Sequence, residues 1–192
     1  MKPLFTLFWQ LCVFRRGPQD VPYSPVLLAV LVLAELLLGA AIVGRLETAY
    51  MGHQMMGMVV ALSAWLAMVW GLLRFKGLEA RYVQAMTACL GTDLLLSAVT
   101  VPLQLYILSL PLDAGVGTWA RVALLLTLIW DILVKGRIYG AALGLGRLQA
   151  NLLSITIWVI VLLLSDVFMP AEALEAMQPT QSSPSVEQSI SE

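Results

Sequence analysis

The sequence predicts an all-α polytopic membrane protein, a bundle of five transmembrane helices preceded by an N-terminal interfacial helix. Of its 192 residues, 60% are apolar and only 12% are charged, whereas soluble domains have about 45–50% and about 25%. The apolar runs are long and continuous and do not alternate with polar residues, which favours helices over barrel strands. These observations exclude a soluble globular domain, a disordered chain and a disulfide-stapled secreted module.

Five segments reach the length of about 20 apolar residues that a membrane-crossing helix needs. Ser24 and Pro25 predict the start of the first span, because serine caps a helix N-terminus and proline is tolerated at the first helical position. Pro111 and Pro170 predict the ends of the third and fifth spans. The transmembrane domain is expected over residues 18–170, with spans at 25–44, 55–73, 85–108, 118–134 and 151–168.

The two ends of the chain predict different structures. Residues 1–17 contain an apolar stretch too short to span a membrane, which favours an amphipathic interfacial helix on the cytoplasmic side. Arg15 and Arg16 follow it and complement the negative end of its dipole. Residues 171–192 are rich in Ser, Gln and Pro and include four Glu but neither Lys nor Arg, which is typical of a disordered acidic tail.

The basic residues predict the orientation. Cytoplasmic loops carry an excess of Lys and Arg, and a cytoplasmic N-terminus leaves only Arg45 and Arg121 on the outer side. We therefore expect the N-terminus in the cytoplasm and, after five spans, the C-terminus outside. The nine basic residues on the inner side are then Lys2, Arg15, Arg16, Arg74, Lys76, Arg81, Lys135, Arg137 and Arg147.

Acidic residues inside the predicted spans are the main candidates for function. Glu35 lies near the middle of the first span and Asp93 lies within the third. A charge at the centre of a span costs at least about 2.5–3.5 kcal/mol. Lys135 is expected on the cytoplasmic side, just after the fourth span, so no cation inside a span neutralises them, and each is expected to be protonated or to face a wet cavity. Asp131, near the inner end of the fourth span, is expected to pair with Lys135 four residues later.

Two interpretations of the deep carboxyl groups remain open. In one, Glu35 and Asp93 belong to a proton or cation path. In the other, protonated carboxyl groups hydrogen-bond neighbouring helices and hold the bundle together. The polar side chains expected to line the path are Thr92, Ser97, Thr100 and Gln104.

A methionine-rich cluster with the single histidine, His53, precedes the second span. Thioether and imidazole ligands suit Cu(I), which predicts a possible metal site. The alternative is a helix start filled by flexible methionine side chains. The candidate ligands are Met51, His53, Met55 and Met56.

Glycines recur every four residues at Gly136, Gly140 and Gly144, after the fourth span. Such spacing lets two helices approach closely and predicts a packing or oligomer contact. A flexible linker is the alternative. The segment 137–149 is expected to extend the fourth helix into the cytoplasm.

The remaining motifs narrow the class of function. The sequence contains neither HExxH nor GxSxG, and its one histidine cannot serve a Ser/His/Asp set within a span. The net charge of −1 offers no basic excess for nucleic acid. Cys12 and Cys89 form no CxxC pair. We therefore expect a non-enzymatic protein that uses no cofactor and has the lipid bilayer, and either a membrane-protein partner or a second copy of itself, as its partners.

Three short stretches suggest a family. They are residues 16–25 before the first span, residues 130–138 at the end of the fourth, and residues 168–170 closing the fifth. Together with the five-span plan and cytoplasmic N-terminus, they resemble the Yip1 superfamily of small membrane proteins, including its bacterial members. The resemblance implies a bacterial inner-membrane protein that acts in membrane organisation or complex assembly. A small proton- or cation-coupled transporter or channel component using Glu35 and Asp93 is the alternative.

Overall fold

The chain forms a bundle of six α-helices in a computed structural model that describes residues 2–45, 50–109 and 118–167. Short 3-10 turns precede the second and fourth helices, at Pro18–Asp20 and Glu79–Arg81. Every regular element within these ranges is helical, as the continuous apolar runs predict. In chain order the helices are α1 (Lys2–Cys12), α2 (Pro25–Arg45), α3 (Met51–Phe75), α4 (Tyr82–Ser109), α5 (Thr118–Leu143) and α6 (Arg147–Asp166).

The start of α2 confirms the predicted cap. The Ser24 hydroxyl accepts a hydrogen bond of 3.2 Å from the Leu27 amide, and Pro25 is the first helical residue. This side-chain oxygen satisfies one of the amide groups that the first turn of a helix leaves without a partner.

Helix α4 lies at the centre of the bundle, where it contacts α1, α2, α3 and α5. Residues 85–90, in the first half of α4, are completely enclosed, since each side chain there is at most 1% exposed. Small side chains alternate with larger ones in this stretch, so neighbouring helices approach α4 closely. The enclosed side chains include Ala85, Met86, Ala88, Cys89 and Leu90.

Helix α1 packs against the middle of α4 and α5. Its buried face includes Phe8, whose ring occupies the space that a side chain at Gly91 would need. Gly91 is nine residues into α4, which is about 13 Å along the helix axis. The opposite face of α1 leaves Phe5 and Trp9 exposed. The apolar stretch near the N-terminus is therefore helical, and one of its faces belongs to the core of the bundle.

Four of the described helices, α2, α3, α4 and α6, are long and apolar enough to cross a membrane. This composition indicates a multi-pass membrane protein. The predicted span 118–134 lies within α5, which is 26 residues long but more polar than the other four. The charged side chains that set α5 apart are Arg121, Asp131, Lys135 and Arg137.

The connection between α5 and α6 differs from the expected helical extension over 137–149. Helix α5 ends at Leu143, and Gly144 follows with φ of 65°, a left-handed conformation that glycine adopts without steric cost. The Leu145 amide donates to the Gly140 carbonyl at 3.0 Å, which completes a helix-ending turn. Residues Arg147 to Gln149 already belong to α6. The predicted tail, 171–192, lies outside the described residues.

Candidate functional site

A group of charged side chains lies between α4 and α5 in the middle of the bundle. The Lys135 ammonium is 2.9 Å from Oδ1 of Asp93 and 2.7 Å from Oδ2 of Asp131. We call Lys135, Asp93 and Asp131 the ionic centre. The pair between Asp131 and Lys135 that the sequence predicts is confirmed, and the contact with Asp93 joins a second helix to it.

The ionic centre lies deep in the bundle. Asp93 is eleven residues from the start of α4, and Lys135 is eight residues before the end of α5. At 1.5 Å per residue these positions are about 16 Å and about 12 Å from the same end of the bundle. Both positions are therefore about two to three helical turns inside the bundle.

The expectation that no cation neutralises the deep carboxyl groups is therefore wrong for Asp93. The sequence suggests a position for Lys135 outside the fourth span, on the cytoplasmic side, because the apolar run stops at Val134. In the structure α5 continues for nine residues beyond Val134, and Lys135 lies inside the bundle. Its side chain is 17% exposed, and those of Asp93 and Asp131 are 18% and 16% exposed. In such a setting the ammonium stabilises the charge of each carboxylate, while the two carboxylates repel each other.

Glu35, on α2, is close enough to Lys135 and Asp131 for their charges to act on its carboxyl group. Its Oε1 atom is buried and has no hydrogen-bond partner among the described residues. The same holds for Oδ1 of Asp131. Two carboxyl groups therefore pair with the ammonium, and Glu35 is a third carboxyl group nearby that makes no ion pair with it in the described part of the chain.

Aromatic side chains enclose the ionic centre on the side of α3. The Trp65 indole donates a hydrogen bond of 2.8 Å to the Tyr139 hydroxyl, and both side chains are buried. The Lys135 ammonium is 5.1 Å from the centre of a Trp65 ring. This distance is within the range in which the ring face attracts a cation.

A cavity of about 240 Å³ adjoins Lys135 between α3, α5 and α6. Most of its lining is apolar, from side chains such as Leu62, Ile157 and Val161. Ser154 also lines it, is 2% exposed, and has a hydroxyl without a partner in the described ranges. Tyr139 lines it as well, so the wall of this pocket beside the ionic centre includes two residues with hydroxyl groups and one with an ammonium group.

The polar side chains predicted to line a path near Asp93 bond to their own helix. The Thr92 hydroxyl donates to the carbonyls of Ala88 and Cys89, at 3.0 and 2.8 Å. The Ser97 hydroxyl donates to the Asp93 carbonyl at 2.9 Å. Gln104 is exposed on the surface of the bundle, and Thr100 is half-buried. These four side chains are therefore not gathered around one cavity of the described structure.

Cys12, at the end of α1, lies near the same charges. Burial raises the pKa of its thiol to about 11, and the negative charges of Asp131 and Asp93 add to this effect. Its carbonyl accepts a hydrogen bond of 3.0 Å from the Trp130 indole. A thiol with a raised pKa stays protonated at neutral pH and is a weak nucleophile or metal ligand.

The candidate copper ligands all lie in the first two turns of α3. Helical spacing places Met51 and Met55 on one side of α3 and His53 and Met56 on another. Met58, further along, fills the space beside Gly39 of α2. Within the described ranges, His, Cys, Asp and Glu side chains form no group of three or more that fits a metal ion.

The three glycines that recur every four residues, Gly136, Gly140 and Gly144, have two different roles. A side chain at Gly136 would collide with Asn151 of α6, and one at Gly140 would lie 3.2 Å from Cβ of Ala150. These two glycines bring α5 and α6 close together within the chain. Gly144 has open space around it and serves the turn that ends α5.

Sequence reasoning missed the role of Lys135 at the ionic centre. One signal points to it, because Asp131 and Lys135 are separated by one helical turn and their charges offset each other. A paired Asp and Lys extend an apolar span at a lower free-energy cost than either residue alone.

The chain matches no family model, no curated protein and no solved structure.

Proposed function

We propose that this chain is a non-enzymatic integral membrane protein of five-span, Yip1-like plan. It acts through helix and lipid contacts in membrane organisation or complex assembly. Its N-terminus lies in the cytoplasm, its C-terminus lies outside, and its membrane is the bacterial inner membrane. The observation that carries the proposal is the bridge that Lys135 makes between Asp93 and Asp131, because it uses the deep charges to hold α4 and α5 together.

The role of α5 as a further span, the fourth of five in chain order, is supported by its length and its neighbours. It packs extensively against α4 and α6, two helices that are apolar enough to cross a membrane. Asp131 and Lys135 offset each other inside the bundle, and Arg137 lies close to the end of the helix. A helix of 26 residues is about 39 Å long, which is more than the hydrocarbon thickness.

The proposed orientation is supported by basic side chains that gather at one end of the bundle. The Lys76 ammonium donates to the Leu143 carbonyl at 3.0 Å, and the Arg81 guanidinium donates to the Ala142 carbonyl at 3.2 Å. Both cations therefore meet the negative end of the α5 dipole. With Lys135 counted inside the bundle, eight basic residues remain for the inner side, against Arg45 and Arg121 outside.

Purification from native membranes in lipid nanodiscs tests the proposal. We expect the full chain to be recovered with a membrane protein at fixed stoichiometry, or as an oligomer of itself. Glu79→Gln, an exposed substitution at the 3-10 turn before α4, serves as a control and should leave the complex intact. A monomer recovered alone in native lipid, with its fold intact, would contradict the proposal.

A second candidate function is a proton- or cation-coupled transporter or channel component. The observation that favours it is the surplus of carboxyl groups, since Glu35 adds a third to the two that Lys135 already pairs. Proton flux into vesicles containing the purified protein distinguishes the two functions. The assembly function predicts the flux of empty vesicles, whereas a flux that Glu35→Gln abolishes and Glu79→Gln preserves would select the second candidate.

A further inference from the structure

A groove of about 650 Å³ runs between the end of α5 and the start of α6. Gly136 and Gly140 lie in its wall, where α5 and α6 approach each other closely. Leu133 and Leu145 contribute apolar surface to its wall, and Asn151 contributes an amide group. The groove therefore combines an apolar wall with polar groups at the end of the bundle where basic residues gather.

Two arginines, Arg137 and Arg147, line this groove and both are exposed. Neither makes an ion pair with a carboxylate among the described residues, and no acidic residue lines the groove. Two guanidinium groups without a carboxylate in the same groove form a site of positive charge. Its complement is a phosphate, which arginine binds through paired N–H groups.

Phe14 forms the wall of the groove on the side of α1. Its φ of 60° places it in the left-handed region that residues other than glycine rarely adopt. The ring lies 5.5 Å from the Trp130 ring, and the Arg137 guanidinium lies 5.7 Å from its centre. The unusual backbone thus presents an aromatic face to Arg137, which orients this guanidinium along the groove.

Apolar side chains continue from the groove along the outer surface of α6. Leu148 is 73% exposed and Leu152 is 55% exposed, one helical turn apart. Leu133 of α5 is exposed on the neighbouring helix. An acyl chain needs an apolar track of this kind that leads from the headgroup level toward the middle of the bilayer.

We propose that this groove binds an anionic phospholipid of the inner leaflet. Arg137 and Arg147 hold the phosphate, the space beside Gly140 receives the rest of the headgroup, and the acyl chains lie along α6. The inference rests on the proposed function, because it places this end of the bundle at the inner leaflet. Anionic lipids of that leaflet attract basic residues at the membrane surface, which adds to the two direct contacts.

Native mass spectrometry of the full chain, released from nanodiscs, tests the site. The probes are phosphatidylglycerol, phosphatidylcholine and inorganic phosphate. We expect one retained phosphatidylglycerol per chain, and at least about tenfold weaker retention in the variant Arg137→Gln/Arg147→Gln, which lacks both charge-assisted contacts. The matched control Arg15→Gln/Arg16→Gln removes the same charge from exposed positions and should retain the lipid.

A second variant tests the shape of the groove without changing charge. Ala141→Trp places a large side chain at an exposed position in the groove, and we expect it to lower lipid retention while gel filtration shows an intact fold. Equal retention of phosphatidylglycerol and phosphatidylcholine would overturn the proposal. So would binding of inorganic phosphate as tightly as the lipid, or full retention by the double arginine variant. A parent chain that is recovered in its complex without phosphatidylglycerol would overturn this inference alone, and a parent chain that retains the lipid as a monomer would overturn the proposed function alone.

Discussion

Helices α2 and α4 are both long enough to cross a membrane, yet they occupy opposite environments. In its most apolar stretch, α2 has only 6% of its residues buried within the chain, whereas α4 has 39%. α2 is nevertheless the most apolar of the four spanning helices and α4 the least. In a soluble protein the most apolar helix lies in the core. Here the order is reversed, because lipid and not water surrounds the bundle.

The two helices tolerate different kinds of residue because their surroundings differ. α2 presents Val30, Leu33 and Leu37 outward, where lipid is as apolar as a protein core. α4 is enclosed by other helices, so its small and polar residues find partners there. Asp93 is the clearest case, since the Lys135 ammonium of α5 lies 2.9 Å from it. Burial among helices is therefore the condition that allows a charge in the middle of this bundle.

The largest effect is expected from Lys135→Met, which removes the cation that α4 depends on. Asp93 and Asp131 would then be left in the bundle without a counter-charge, which costs about 3–5 kcal/mol. Reversible unfolding in mixed detergent micelles measures this free energy. Adding Asp93→Asn and Asp131→Asn to the same chain should restore most of the loss, and Lys76→Met at the exposed end should cost much less. A Lys135→Met variant as stable as the parent would contradict the account.

A pair of leucine substitutions tests the comparison between the helices directly. Leu90 of α4 is fully buried, and Leu37 of α2 is 61% exposed. Leu90→Ala should lower the free energy of unfolding by about 2–5 kcal/mol because it leaves a cavity between helices. Leu37→Ala should change it by about 0.5 kcal/mol or less, since it alters only the surface that faces lipid. Equal losses in the two variants would show that α2 is packed as tightly as α4.

The carboxyl groups of the two helices should also differ in their effect on stability. Asp93→Asn weakens a contact of 2.9 Å with Lys135, and we expect a loss of about 1–3 kcal/mol. Glu35→Gln leaves every described hydrogen bond in place, because Oε1 of Glu35 has no partner in those ranges. We therefore expect a change below about 1 kcal/mol in the same unfolding measurement. A larger loss in Glu35→Gln than in Asp93→Asn would reverse the assignment.

A smaller effect than that of Lys135→Met is expected on the aromatic side of the ionic centre. Tyr139→Phe removes the hydroxyl that accepts a hydrogen bond of 2.8 Å from the Trp65 indole. The loss should be about 1–3 kcal/mol, because the volume of the ring is retained but the buried indole N–H is left without this acceptor. Tyr23→Phe, at an exposed position before α2, is the matched control and should have no measurable effect on unfolding. Comparable losses in both variants would show that the hydrogen bond does not stabilise the bundle.

Sequence patterns predicted much of the fold. Length and continuous apolar composition predict α2, α3, α4, most of α5 and α6, and the cap at Ser24 fixes the start of α2. The same composition ends the fourth segment at Val134, whereas α5 continues to Leu143, because Lys135 and Arg137 interrupt the apolar run. The turn at Gly144 is also ambiguous in sequence, where its four-residue distance from Gly140 resembles a packing ridge.

The candidate site was predicted only in part. The sequence singles out Asp93 and Asp131 because carboxyl groups are costly inside apolar segments. It does not show that both meet Lys135, since the contact with Asp93 joins positions 42 residues apart on different helices. Nor does it show the groove at Arg137 and Arg147, which depends on how closely α5 and α6 approach. Pairing across helices is a property of packing, and a single sequence gives no signal for it.

A double-mutant cycle between Asp93 and Lys135 measures whether the contact between these two side chains holds α4 and α5 together. The unfolding free energies of the parent, Asp93→Asn, Lys135→Met and the double variant are measured in the same micelles, and their difference isolates the interaction between the two side chains. The account predicts a favourable coupling of about 1–3 kcal/mol, since the two groups bridge α4 and α5 at 2.9 Å. A coupling near zero would contradict the claim that the ionic centre holds these helices together.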